Sequence, residues 1–219
     1  MKLEEKAVIF DLDGVICFTD KYHYQAWKAL ADKLGIYFDE KINNRLRGVS
    51  RMASLEIILE RADKTYTQEE KEAFAEEKND NYKELLKNMK ESDLSEEVKT
   101  TLEELRARGY LLAIGSSSKN TKFILGQLGL GDFFDAIADG TDITHSKPDP
   151  EVFLKAAEKL GMKPEDCAVV EDAKAGIEAA KAANMTALAL DGDARDCGMQ
   201  DYNLEGFFDL LNILPGAGE

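Results

Sequence analysis

The sequence predicts an α/β fold: a Rossmann-like parallel sheet with helices on both faces, interrupted after its first strand by an all-helical insertion. Three observations predict it. Short apolar runs alternate along the chain with amphipathic helical segments, the order that builds a parallel sheet with right-handed crossovers. The first run, Ala7-Val8-Ile9-Phe10, is apolar at every position, as a strand buried on both faces must be. From Phe18 to Ser92 strand signals are missing and only helical spacing remains. The expected core domain is therefore 1–17 and 93–219, and the expected helical domain 18–92.

The elements follow in order. After the first strand, Trp27, Leu30, Ala31 and Leu34 set a helix from His23 to Leu34 that stops at Gly35. Leu55, Ile58 and Leu59 repeat the spacing. Thr67-Gln68-Glu69-Glu70 reads as a capping box, opening a long charged helix over Lys71 to Lys90. Ser95 to Arg108 carries Val98, Leu102 and Leu105 on one face and leads into a strand at Tyr110–Ile114. A helix from Asn120 to Leu128, a short strand at Ala136-Ile137-Ala138 and a helix opened by Asp149-Pro150 come next. The strand Cys167–Val170, a helix from Ala173 to Ala183 and the strand Thr186–Leu190 complete the series. Trp27 and Phe38 are assigned to helical core faces.

Charge narrows the partners. The chain has 28 basic and 43 acidic side chains, a net charge of −15, which argues against nucleic acid or an anionic membrane. An acidic protein that binds phosphate has to gather its cations at one place. Cys17, Cys167 and Cys197 are odd in number and show no paired spacing, as expected of a reduced cytoplasmic protein. The amino terminus carries acid where a secretory signal needs apolar residues, and no apolar run approaches membrane length.

Three strands end on chemistry-bearing residues: Asp11 and Asp13, then Ser116-Ser117-Ser118, then Glu171 and Asp172. In a parallel sheet those ends share one edge, where ligands gather. A carboxylate is a competent nucleophile toward phosphorus, and a second one two residues on can exchange a proton with the attacking or departing hydroxyl. Four crowded carboxylates also call for a cation, and hard oxygen donors with a phosphate favour magnesium. Asp11, Asp172 and the main-chain carbonyl of Asp13 are the expected ligands, with Glu171 either coordinating or hydrogen-bonded behind them. Lys147 adds a fixed positive charge, and hydroxyls and N–H groups after the second strand suit phosphate oxygens. A calcium loop fits poorly, since Val15-Ile16-Cys17-Phe18 supplies no side-chain oxygen. Taken singly, an acidic pair reads as surface, a serine run as loop and Lys147-Pro148 as a helix approach; their shared order and placement point to one site.

The order Asp11-x-Asp13-Gly14-Val15, Ser116, Lys147-Pro148 and Glu171-Asp172 resembles the haloacid dehalogenase superfamily of aspartyl-phosphate enzymes, and the insertion resembles its helical cap. Gly48-Val49-Ser50-Arg51 with Ser54, Lys78-Asn79-Asp80-Asn81-Tyr82 and Ser116-Ser117-Ser118-Lys119-Asn120 narrow the resemblance to the beta-phosphoglucomutases, over essentially the whole chain. The resemblance implies that Asp11 is the nucleophile and Asp13 the general acid and base. It implies Mg2+ on Asp11, Asp13, Glu171 and Asp172, and Ser116 and Lys147 on the transferring phosphoryl group. Arg51, with Ser118, Lys119 and Asn120, would hold the distal phosphate; Lys78 and Ser54 would meet the sugar, and His23 would support Asp13. Gly48, Val49, Ser50 and Ser117 fall within the same substrate-binding motifs. The implied reaction interconverts beta-glucose 1-phosphate and glucose 6-phosphate through beta-glucose 1,6-bisphosphate, in a monomer whose partner is the sugar phosphate alone.

Three departures stand out: Phe18 where an acidic residue is usual, Asp93-Leu94-Ser95-Glu96-Glu97 without proline or glycine, and Ala173 where a small hydroxyl residue is frequent. The rival readings are a sugar-phosphate phosphatase on the same core and an aspartate-phosphorylated regulatory module.

Overall fold

In the computed structural model, which describes residues 3–46 and 50–216, β1 (Ala7–Phe10) lies at the heart of a six-stranded sheet. β2 (Leu111–Gly115), β3 (Ala136–Ala138), β4 (Cys167–Glu171), β5 (Thr186–Ala189) and β6 (Tyr202–Asn203) join it in the order β3-β2-β1-β4-β5-β6. Every neighbouring pair is parallel. All four β1 residues are fully buried, which is why the run is apolar rather than alternating.

The chain divides into two units, Met1–Phe18 with Lys90–Glu219, and Thr19–Met89. In the first, one sheet face packs Ala7, Ile9, Ala113, Val169 and Ala187 against Val152, Phe153 and Ala156 of α7 (Glu151–Leu160) and Ile177 and Ala180 of α8 (Lys174–Ala182). The alanines let helices approach the strands closely. On the other face Phe10 stacks on Phe207 at 5.7 Å and meets Phe134 at 6.3 Å. This alternation along one strand gives the sheet two covered faces.

The second unit contains α1 (Asp20–Leu34), α2 (Glu40–Asn44), α3 (Arg51–Leu59) and α4 (Gln68–Leu86). It has its own core, in which Trp27, Leu30, Ile36, Phe38, Leu55 and Ile58 are buried together. Gly35, at φ +70°, ends α1 and frees Ile36 N to reach Ala31 O at 2.8 Å.

Several boundaries differ from expectation. α1 starts at Asp20 rather than His23. The capping box at Thr67 holds as expected, so α4 begins at Gln68, but it ends at Leu86 instead of Lys90. There, tight bonds from Asn88 N to Leu85 O and Met89 N to Leu86 O, and Asn88 Nδ2 on Leu85 O, use up the last carbonyls. The strand expected at Tyr110–Ile114 runs one residue later. The two-residue β6, the five-residue α2 and the short α9 (Gly192–Asp196) and α10 (Leu210–Ile213) carry too little periodicity to be read from sequence. α5 (Glu96–Ala107) and α6 (Thr121–Gln127) fall where expected, each trimmed at its ends. No helix among the described residues is long and apolar enough to cross a membrane.

Candidate active site

The register of the sheet builds the site. Phe10 pairs with Val170, and Asp11 N donates to Val170 O at 3.0 Å, so Asp11 comes to lie beside Glu171. Just beyond, the chain folds back on itself: Ile16 N and Cys17 N both donate to Leu12 O, and Gly14 N donates to Cys17 O at 2.7 Å. Gly14, at φ +94°, is needed here twice over. Its backbone conformation disfavours a side chain, and a Cβ would stand 2.1 Å from Asp172 Oδ2.

Asp11, Glu171 and Asp172 present carboxylate oxygens within 4.8 Å of one another. Asp13, half-buried, is not in that cluster. Lys147 Nζ is 2.6 Å from both Asp11 Oδ1 and Glu171 Oε1 and lies 4.6 Å from the centre of the Phe153 ring. Burial alone would depress this ammonium, but Asp11 and Glu171 outweigh it and raise its pKa above the usual lysine value. Glu171 is itself raised, by burial first and then by Asp11, with Lys147 opposing. Its Oε2 accepts from Asp172 N and Ala173 N at 2.9 Å each. Asp172 is pushed up to about 8 by burial, Glu171, Asp11 and Asp13. Three carboxylates against one ammonium leave surplus negative charge when all are ionised, and every donor is a hard oxygen. That set fits magnesium.

The second strand ends on the serine turn. Ser116 is buried, its N donates to Ala138 O, and its Oγ accepts from Ser118 N at 3.2 Å. Both backbone donors are thus engaged in fixing the turn itself. Ser118 Oγ accepts from Asn120 N at 3.2 Å, Asn120 is buried at the start of α6, and Lys119 is exposed. Ser117 Oγ is buried with no hydrogen-bond partner among the described residues.

Sequence reasoning missed the brace behind this turn. β3 also ends on a carboxylate, Asp139, which is 2% exposed and accepts from Thr141 N and Thr141 Oγ1 at 2.8 and 2.6 Å. Gly140 N then donates to Ser118 O at 3.1 Å. The signal was available: besides the three strands already noted, Ala136-Ile137-Ala138 also runs into an acid, Asp139.

In the helical unit, Lys78 and Tyr82 are one turn apart on α4, as His23 and Trp27 are on α1. The pairs face each other. Lys78 Nζ lies 4.6 Å from the Trp27 ring centre, 4.7 Å from that of Tyr82 and 2.9 Å from His23 Nδ1, while His23 stacks on Tyr82 at 4.0 Å. An ammonium only donates, so Nδ1 accepts and the imidazole proton is on Nε2. Burial, then Lys78 and Arg51, hold His23 well below its usual pKa. Trp27 thus serves the core, as expected, and also the cation. Lys78, which the resemblance assigns to the sugar, stands on a highly charged helix and is 3% exposed. Arg51 opens α3 behind Ser50, whose Oγ accepts from Ala53 N at 3.3 Å; burial lowers Arg51, with Glu76 and Asp80 opposing. Ser54 is buried in α3, and Gly48 and Val49 lie outside the described residues.

Of the departures, Phe18 is exposed. Ala173 offers α8 no side-chain cap, and Asp193 Oδ1 accepts from Lys174 N at 2.9 Å in its place. The Asp93–Glu97 stretch is a capped entry, in which Ser95 Oγ accepts from Val98 N at 3.1 Å.

Comparison with known proteins places this arrangement. The haloacid dehalogenase-like hydrolase family matches residues 5–184. The chain is 44% identical over 187 residues to the beta-phosphoglucomutase of Bacillus subtilis, covering 84% of this chain and 83% of that protein. It is 33% identical over 183 residues to a phosphorylated carbohydrates phosphatase of Thermotoga maritima, covering 82% of each. The crystal structure of a beta-phosphoglucomutase from Clostridium difficile superposes with a TM-score of 0.85 at 38% identity, over 94% of this chain and 93% of that one.

Proposed function

The chain belongs to the haloacid dehalogenase-like hydrolase family, and from that membership and the residues above we propose that it is a phosphomutase interconverting beta-glucose 1-phosphate and glucose 6-phosphate. Support comes from the 44% identity to a beta-phosphoglucomutase and, within the chain, from one observation above all. A −15 protein keeps Lys78 and Arg51 together around a neutral His23 in its helical unit. A hydrolase acting on one phosphate has no need of a second cationic group; an enzyme whose bisphosphate intermediate presents either end does.

In this reading Asp11 attacks phosphorus. An Asp11 Oδ–P bond forms as the P–O bond to the sugar breaks, and Asp13 gives the departing oxygen its proton. In the reverse half-reaction Asp13 removes the proton from the sugar hydroxyl that attacks phospho-Asp11. Beta-glucose 1,6-bisphosphate links the two halves. Lys147 and Ser116 bind the transferring phosphoryl oxygens, with Ser117 beside them. Arg51, Ser118, Lys119 and Asn120 hold the distal phosphate, Lys78 and Ser54 the sugar, and His23 supports Asp13; Gly48, Val49 and Ser50 complete the substrate motif. Asp11, Glu171 and Asp172, with the main-chain carbonyl of Asp13, would hold Mg2+, which would supply electrostatic neutralisation of charge building on the phosphoryl oxygens. The chain acts in the cytoplasm, as a monomer.

The test is an incubation with magnesium, beta-glucose 1-phosphate and a trace of glucose 1,6-bisphosphate, following glucose 6-phosphate and free phosphate together. Glucose 6-phosphate without matching phosphate release is the expected result. Phosphate release with little isomerisation would favour the phosphatase reading, to which the Thermotoga relative lends weight; neither product would overturn both.

A further inference from the structure

Lys147 is carried by an irregular loop, yet its ammonium must stand between Asp11 and Glu171. The loop is tied on both sides of it. Glu151, the first residue of α7, turns its carboxylate back so that Oε2 accepts from Thr144 N at 2.9 Å, His145 N at 2.7 Å and Thr144 Oγ1 at 3.0 Å. Asp149 N donates to Ser146 O at 3.1 Å, and Asp149 Oδ1 accepts from Glu151 N at 2.9 Å. Two residues further along α7, Phe153 lies under the Lys147 ammonium. One helix start therefore holds the loop backbone before Lys147 and the head group of Lys147 itself.

We infer that Glu151 is a positioning residue: by clasping Thr144 and His145 it sets where the Lys147 ammonium stands. An acid at a helix start can also act simply through the helix dipole. The two differ in what they need, since the clasp requires reach to two N–H groups and the dipole requires only charge.

Glu151→Asp keeps the charge and withdraws the acceptor by one methylene, whereas Glu151→Gln keeps the reach and removes the charge. Lys147 acetylation by acetic anhydride, read by mass spectrometry on the folded full-length chain, should be slow in the wild type. It should be about tenfold faster in Glu151→Asp, within about twofold of wild type in Glu151→Gln, and unchanged in Glu158→Gln on the same helix. The kinetic arm rests on the proposed mutase reading. There Glu151→Asp should lower kcat about tenfold with KM held within about twofold, and Glu151→Gln should restore it. Unchanged Lys147 labelling in Glu151→Asp overturns the inference, as does a gain in Glu151→Gln equal to or larger than that in Glu151→Asp. If the wild type lacks mutase turnover, the labelling pattern still decides the clasp by itself.

Discussion

Asp172 and Asp11 illustrate what one carboxylate can be made to do by its surroundings. The Asp172 pKa is about 8 in the folded chain against 3.8 for the free side chain. Between those values the folded state keeps a proton that the unfolded chain has released. Stability of the metal-free protein should therefore fall as pH rises from about 4 to about 8 and level off above. Magnesium needs the carboxylate ionised, so the rise in Tm on adding it should be larger at about pH 8 than at about pH 5.5. Differential scanning fluorimetry across pH with and without Mg2+ checks both; a flat metal-free profile would contradict the crowding of charge at this edge. Asp11 is legible from its place after an apolar strand. Asp11→Asn should abolish covalent labelling by a phosphoryl donor together with turnover, and phosphate retained on another residue would relocate the nucleophile.

At the scale of an element, α8 owes its position to the side chain it covers. A Cβ on Gly176 would fall 1.9 Å from the Glu171 carboxyl carbon, so the first turn of α8 packs directly on that carboxylate. Gly176→Ala would ordinarily favour a helix. Here it should instead destabilise by about 1–3 kcal/mol through overpacking and weaken magnesium activation roughly tenfold by displacing Glu171. Chemical denaturation and a magnesium titration of turnover read the two effects. The helix itself was legible from its periodicity, but the need for glycine was not, because nothing local in Lys174-Ala175-Gly176 reveals what lies above it. Capping divides the same way. The Thr67 box is visible in four consecutive residues, whereas the cap that Asp193 provides to α8 comes from 19 residues away and has no sequence signature.

For the whole molecule, the two units separate the proposed chemistry into a carboxylate centre in one and a cationic group in the other. A change in the helical unit should then discriminate between substrates. Arg51→Ala is expected to reduce sugar-phosphate turnover far more than slow hydrolysis of a small acyl phosphate, measured side by side; equal losses would make Arg51 structural. The parallel sheet, the helical insertion and the gathering of Asp11, Ser116 and Glu171-Asp172 at one edge followed from the sequence alone. Burial on both faces demands unbroken apolar strands, and parallel connection places all their carboxyl ends together. Only the tertiary structure decided which charges meet. Lys147 is brought 136 residues along the chain to Asp11, Lys78 is drawn out of a charged helix face into a box of Trp27, His23 and Tyr82, and Asp139 and Glu151 brace the loops behind the site. Periodicity reports the average face a residue occupies. Electrostatic pairing depends on distances between segments remote in sequence, which packing alone sets.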